Sequence, residues 1–289
     1  MNGILLIDKP QGWTSMDVCA KLRGALREKR VGHSGTLDPL ATGLLAVFLG
    51  RATRAVEFAE ADEKCYTALL RLGLVTDTQD ITGTVLKTHE VSITDEQLAA
   101  ALSRFRGEIM QLPPMYSAVK VQGKPLYKAA RKGIAVERSP RRVTIFSLEC
   151  TGRDEVDITL DVRCSKGTYI RTLCHDIGAA LGCGGTMGAL RRTRAGCFGI
   201  ENALALEDVL RAAAQGRAEE LLLPVDSLFP EARRLVLSAA QEKAVRNGMR
   251  YTARLPEGRY RLYSGGGEFL ALAETARGTM RTIKSFFEV

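Results

Sequence analysis

Residues Val31–Gly43 read VGHSGTLDPLATG. Gly32, Gly35, Gly43 and Pro39 interrupt both helical and strand periodicity here, so the stretch predicts an irregular loop or chain of turns. Within it Asp38 precedes Pro39, whose ring restricts the backbone of the residue before it. An aspartate so placed can simply cap its turn. It can also present a carboxylate to a ligand, because the flanking glycines let a ligand approach the backbone and His33 and Thr36 add hydrogen-bonding groups nearby. The residues alone leave both roles open.

On the N-terminal side of the loop, Gly3–Asp8 is an apolar run that predicts a short buried strand. Thr14 and Asp17 then stand at capping-box spacing ahead of Val18, Leu22 and Leu26, which predicts a helix. On the C-terminal side, Leu44–Leu49 reads as a buried strand, Arg51–Ala61 as a helix and Lys64–Leu72 as a strand. Thr94 and Gln97 repeat the capping box and open a helix to about Phe105, with Leu98 and Leu102 on one face.

Gln111–Arg142 holds four prolines, two glycines and many basic residues, and predicts a protruding surface excursion. Val143–Cys150 and Val156–Cys164 alternate as paired strands, and Thr168–Leu181 reads as a helix. Gly182–Gly188 is a glycine-rich turn into a strand ending at Arg194. PVDSLFP at Pro224–Pro230 looks like a linker, Leu237–Arg246 a short helix stopped by Asn247 and Gly248, and RYRLYS and FLALAE short strands of a small β-barrel.

The chain has 289 residues, 45% of them hydrophobic, enough for one large domain and one small one. Lys and Arg total 41 against 33 Asp and Glu, a formal charge of +8 that favours a polyanionic partner. Seven scattered cysteines without a C-x-x-C pair suit a reducing compartment. The absence of a leader or of ~18 consecutive apolar residues places the chain in the cytoplasm, with no membrane partner. His33, His89 and His175 lack zinc-ligand spacing, no P-loop or deaminase signature is present, and LGCGGTMG misses the dinucleotide fingerprint. No metal and no cofactor are therefore expected.

The segments LLIDKPQGWTS, GHSGTLDPLATGLL, KCYTALLRLGLVTDTQD, LPPMYSAVKVQGKPLYKAARKG and CSKGTYIRTLCHDIGAALGCGGTMGALRRTRAG together resemble the bacterial tRNA pseudouridine synthase B (TruB) family over about residues 2–200. From about Leu235 the tail is similar to the PUA-like RNA-binding domain that many members carry. The resemblance implies an α+β fold, with a mixed, mainly antiparallel sheet and a C-terminal PUA-like β-barrel. It divides the chain into a catalytic domain over 1–228, with an RNA-contacting insertion at about 111–142, and a PUA-like domain over 229–289.

The activity it implies is isomerisation of uridine 55 in the T-loop of tRNA, by base flipping, without guide RNA, metal or cofactor, in a monomer. Asp38 matches the family's catalytic aspartate, Tyr66 its active-site tyrosine and Arg171 the arginine partner of the aspartate. His33, Tyr169 and Leu190 match positions around the flipped nucleotide, and Lys9 a lysine near the N-terminal strand. An ionised Asp38 can act as nucleophile or base, and a guanidinium nearby favours that charged form. An aromatic ring such as Tyr66 offsets the cost of extruding a base.

Apart from the resemblance, Lys124, Lys128, Arg131 and Lys132 recur at near-helical spacing, with Tyr127 interleaved and Arg138, Arg141 and Arg142 beyond. One face of this segment can then meet RNA phosphates. Arg191, Arg192 and Arg194 form a second candidate patch.

Overall fold

The computed structural model describes residues 1–60, 63–117, 120–121, 124–126, 134 and 136–287. From the N-terminus the elements are β1 (Gly3–Lys9), α1 (Ser15–Leu26), β2 (Val31–Ser34), β3 (Thr42–Leu49) and α2 (Val56–Glu60). Next come β4 (Lys64–Leu72), β5 (Leu74–Thr76), β6 (Val85–Thr88), α3 (Asp95–Ser103), β7 (Gly107–Gln111), β8 (Lys120–Val121) and β9 (Lys124–Pro125). The long hairpin β10 (Arg141–Asp154) and β11 (Asp157–Cys164) precedes α4 (Ile170–Ala180), β12 (Gly185–Ala195) and β13 (Phe198–Gly199). Then follow β14 (Leu204–Ala205), α5 (Leu206–Ala214), β15 (Arg233–Val236), α6 (Ala239–Arg246), β16 (Tyr251–Thr252), β17 (Gly258–Tyr263), β18 (Phe269–Ala276) and β19 (Thr279–Ser285). No helix among the described residues is long and apolar enough to cross a membrane.

Residues 1–38, 45–61 and 201–289 form one compact unit, and 39–44 with 62–200 a second. In the first, β1 pairs in parallel with β14, and β2 runs antiparallel to β3 from Val31 opposite Leu49 to Ser34 opposite Ala46. Val18, Cys19, Leu22 and Leu26 line the buried side of α1 and pack with Leu5, Ile7, Leu45, Val47, Leu206 and Val209. Each fully buried side chain of this kind contributes roughly 1.5–3 kcal/mol. Helix α1 begins where Thr14 and Asp17 close their capping box. It ends where Arg27 turns left-handed and donates its N–H to the Gly24 carbonyl.

The C-terminal part of this unit is a five-stranded sheet in the order β15-β17-β18-β19-β16, parallel between β15 and β17 and antiparallel elsewhere. It closes over Leu237, Val245, Tyr260, Leu262, Leu270 and Met280, in keeping with the small barrel expected. Phe58 of α2 meets Phe229 edge-on at 5.3 Å, and Phe229 in turn neighbours Phe269 and Phe286.

In the second unit, β12, β4, β11, β10 and β7 lie side by side, all antiparallel. Buried and half-buried residues alternate along β4 without exception, so Tyr66, Ala68 and Leu70 share one face. Helix α4 packs on β12 and β4, and α3 on β10. A Cβ at Gly178 would lie 2.2 Å from the Gly185 nitrogen, so α4 approaches β12 only because that residue is glycine. At the start of β3, Thr42 and Gly43 pair in parallel with Arg191 and Arg192. Gly43, at φ +97°, has its α-carbon so close to β12 that a Cβ would meet the Arg192 carbonyl oxygen at 2.3 Å. The mixed, mainly antiparallel α+β fold implied by the family resemblance is the one observed.

Two local expectations need correction, and one hairpin carries no signal in the sequence. Val31–Ser34, expected as loop, is a strand, because pairing with the buried residues Ala46–Leu49 of β3 outweighs the weak strand tendency of Gly32 and Ser34. The expected helix over Arg51–Ala61 begins as a 3-10 helix over Gly50–Ala55 and is α-helical only from Val56 to Glu60. There Thr53 donates its hydroxyl to the Gly50 carbonyl at 2.7 Å, a local bond that competes with the α-helical ladder. The β5–β6 hairpin, with its turn over residues 77–84, was not anticipated; its second strand is exposed at every position and leaves no periodic signal.

Candidate active site

Asp38 lies in the short link that remains between β2 and β3, half-buried, after Gly35 at φ +70° has turned the chain. The residue before it, Leu37, is buried, and both its main-chain groups meet the hydroxyl of Ser15. The Leu37 N–H donates to Ser15 Oγ at 2.8 Å, and Ser15 Oγ donates to the Leu37 carbonyl at 3.2 Å. His33 stands on β2 opposite Val47. Lys9 is fully buried, and its Nζ donates to the carbonyls of Pro10 at 2.8 Å and Trp13 at 2.6 Å, tying down the turn that leads into α1.

In the second unit, Tyr66 is buried in β4, between Val162 of β11 and Arg192 of β12. Leu190 is buried on β12 opposite Ala68. Tyr169 occupies the N-cap position of α4 without a side-chain cap of its own. The buried amide of Gln111 instead holds the main chain of Tyr169 itself: Tyr169 N–H donates to Gln111 Oε1 at 3.0 Å, and Gln111 Nε2 donates to the Tyr169 carbonyl at 3.2 Å.

Arg171, in the first turn of α4, is 5% exposed. Its Nη1 donates to the Thr78 carbonyl at 3.0 Å and lies 3.8 Å from Asp80 Oδ2. Its Nη2 donates to the Tyr116 carbonyl at 2.7 Å. One guanidinium thus joins α4, the turn of the β5–β6 hairpin and the start of the basic excursion. Asp80 is itself buried, and its Oδ1 accepts from Thr78 Oγ1 at 2.9 Å, Thr82 N–H at 3.0 Å and Thr82 Oγ1 at 2.5 Å. Thr172 adds a bond to Gln79 at 2.9 Å. A fork of fixed donors among carbonyls and a buried carboxylate holds its orientation far better than a surface arginine does.

Sequence reasoning missed Ser15, Asp80 and Gln111. For Asp80 a partial signal exists, since Asp80 and Thr82 have the spacing of an Asx turn. Nothing in the sequence marks a pairing with Arg171. Burial also settles what the cysteines can do: Cys19 and Cys164 are pushed up to about 11 and Cys174 to about 12, so none of the three is a thiolate near neutrality. Among the described residues no group of three or more His, Cys, Asp or Glu stands together as a metal site.

Of the basic residues, Arg141 and Arg142 are exposed at the start of β10, where Arg142 meets Glu108 at 3.3 Å. Lys124 begins β9, while Lys128, Arg131 and Lys132 lie outside the described residues. The second expected patch needs correction: Arg191 and Arg194 are exposed, but Arg192 is 1% exposed and its Nε donates to the Leu44 carbonyl at 2.7 Å, so it is a core residue and not a phosphate contact. A concavity of about 310 Å³ opens on the face of the sheet carrying Cys65, Thr67, Asp161, Arg163 and Thr193. Of the residues singled out from the sequence only Tyr66 borders it, so this hollow does not define the site.

Residues 23–170 match the TruB family pseudouridylate synthase (N-terminal domain), and residues 171–230 match the tRNA pseudouridylate synthase B C-terminal domain. The chain is 47% identical over 284 residues to tRNA pseudouridine synthase B of Azoarcus sp. (strain BH72), covering 97% of this chain and 93% of that one. It is 43% identical over 251 residues to tRNA pseudouridine synthase B of Clostridium tetani (strain Massachusetts / E88), covering 86% of each. Among solved structures, a crystal structure of a Cbf5-Nop10-Gar1 complex superposes with a TM-score of 0.75 at 26% identity, covering 99% of this chain and 85% of that one. Matched end to end in sequence and in fold, the chain belongs to the TruB family of pseudouridylate synthases.

Proposed function

We propose that this chain isomerises uridine to pseudouridine in tRNA, at position 55 of the T-loop, acting as a cytoplasmic monomer without guide RNA, metal or cofactor. The observation that carries this reading is the near-complete alignment with enzymes named tRNA pseudouridine synthase B. In the reaction the N1–C1′ bond of uridine breaks, a C5–C1′ bond forms, C5 loses a proton and N1 gains one. Atoms and electrons balance within the substrate, so the chain has only to bind, orient and move protons.

Asp38 supplies the carboxylate that acts on the sugar or the base. Arg171 orients it and favours its ionised form, and Tyr66 receives the extruded base. His33, Tyr169 and Leu190 surround the nucleotide, while Lys9, committed to the Pro10 and Trp13 carbonyls, serves by shaping the turn ahead of α1. Lys124, Lys128, Arg131, Arg141 and Arg142 meet RNA phosphates from the 111–142 segment. Catalysis belongs to residues 1–228 and added grip to 229–289, a sheet compatible with a PUA-like domain. Independence from a guide is favoured by the greater likeness to the synthase B sequences than to the Cbf5 chain, whose structure is that of a multi-protein complex.

The test is conversion of one unmodified tRNA transcript by the purified chain alone, with and without EDTA. The expected result is one pseudouridine per tRNA at a rate unaffected by the chelator. Conversion that needs an added guide RNA or a defined metal would overturn the proposal.

A further inference from the structure

We infer that Ser15 is a positioning residue for the reaction: its hydroxyl holds the main chain of Leu37 and thereby aims the Asp38 carboxylate. This rests on the reading of Asp38 as the catalytic carboxylate.

Ser15 opens α1, yet the helix does not need its hydroxyl. Thr14 is the N-cap, accepting the Asp17 N–H at 3.0 Å, while the Asp17 carboxylate accepts the Thr14 N–H at 2.9 Å. The Ser15 hydroxyl, on a residue 1% exposed, is directed instead at a segment more than twenty residues away in sequence. One oxygen there accepts the Leu37 N–H and donates to the Leu37 carbonyl, satisfying both main-chain groups of a residue that lies in no helix or strand. The Leu37 side chain is 3% exposed and anchors the same residue from its other side. Asp38 therefore follows a residue clamped at three points and precedes a proline that limits its own backbone.

Deleting the oxygen leaves a buried N–H and C=O without partners, a state that the loop escapes only by moving. Leu37 cannot move without carrying Asp38 with it. A hydroxyl that merely stabilised the fold would lower the melting temperature and leave turnover at saturation alone. One that aims the carboxylate lowers turnover at saturation, since a misplacement of about 1 Å costs on the order of 100-fold in rate.

The experiment compares Ser15→Ala, Ser15→Cys, Val18→Ala and Asp38→Asn in the full chain. It measures thermal unfolding, tRNA affinity and the single-turnover rate at saturating tRNA. Val18 is fully buried on the same helix and controls for loss of stability. Ser15→Ala should convert tRNA about 30- to 100-fold more slowly at saturation with affinity within about twofold of the parent, Ser15→Cys should fall between, and Val18→Ala should keep the parent rate. If Ser15→Ala does not fold, Ser15→Cys decides, because sulfur keeps only a weak donor and acceptor. A folded Ser15→Ala within threefold of the parent rate, or a parent-like Ser15→Cys when the alanine variant is lost, overturns the inference. An inactive Asp38→Asn beside a parent-like Ser15 variant removes only the positioning role. An active Asp38→Asn removes the reading beneath it.

Discussion

Replacing Asp38 with asparagine should leave a folded protein that binds tRNA with near-parent affinity and forms no detectable pseudouridine. The substitution keeps size and shape and removes the charge alone. The contacts that hold the loop, Ser15 on both main-chain groups of Leu37 and the buried Leu37 side chain, do not involve the carboxylate and should survive. What is lost is the carboxylate proposed to act as nucleophile or base, and a positioned proton-transfer group alone supplies about 100- to 10,000-fold in rate. The single-turnover rate should therefore fall to about a thousandth of the parent's or lower. A rate above a few percent of the parent's would remove Asp38 from the centre of the mechanism.

A second large effect is expected at Asp80. Asp80→Ala takes the facing carboxylate from a guanidinium that is almost wholly out of water and removes the acceptor of three bonds from Thr78 and Thr82 in the same turn. Breaking a buried ion pair on one side costs about 3–5 kcal/mol, because the remaining charge keeps its desolvation penalty. At about 2–4 °C per kcal/mol for a chain of this size, the melting temperature should drop by roughly 10 °C, and turnover should fall with it as Arg171 loses its setting. The double variant Asp80→Ala/Arg171→Met should be less destabilised than the sum of the two single changes, since both single changes break the same ion pair. A shift of under 2 °C in Asp80→Ala would show that the carbonyls of Thr78 and Tyr116 suffice to hold the guanidinium.

What was legible in the sequence was what local chemistry decides. The β-rich centre of Lys64–Leu72 marks β4, and the Thr14/Asp17 and Thr94/Gln97 pairs mark the starts of α1 and α3. Partners distant in the chain decided the rest. Strand β2 owes its form to β3, and Arg192, which looks like one cation of a basic run, owes its burial to the position of β12 beside the start of β3. The setting of Arg171 by Asp80, of Tyr169 by Gln111 and of Leu37 by Ser15 left no periodic or motif signal. Tyr66 and Leu190, buried on a sheet, resemble ordinary core residues, and only the likeness to a family singles them out.

The most direct measurement of the central claim is position-resolved mapping of pseudouridine in one unmodified tRNA after incubation with the purified chain, with Asp38→Asn run beside it. The account predicts one pseudouridine, at position 55, with the parent and none with the variant. Pseudouridine at another position, or at position 55 with both proteins, would contradict it.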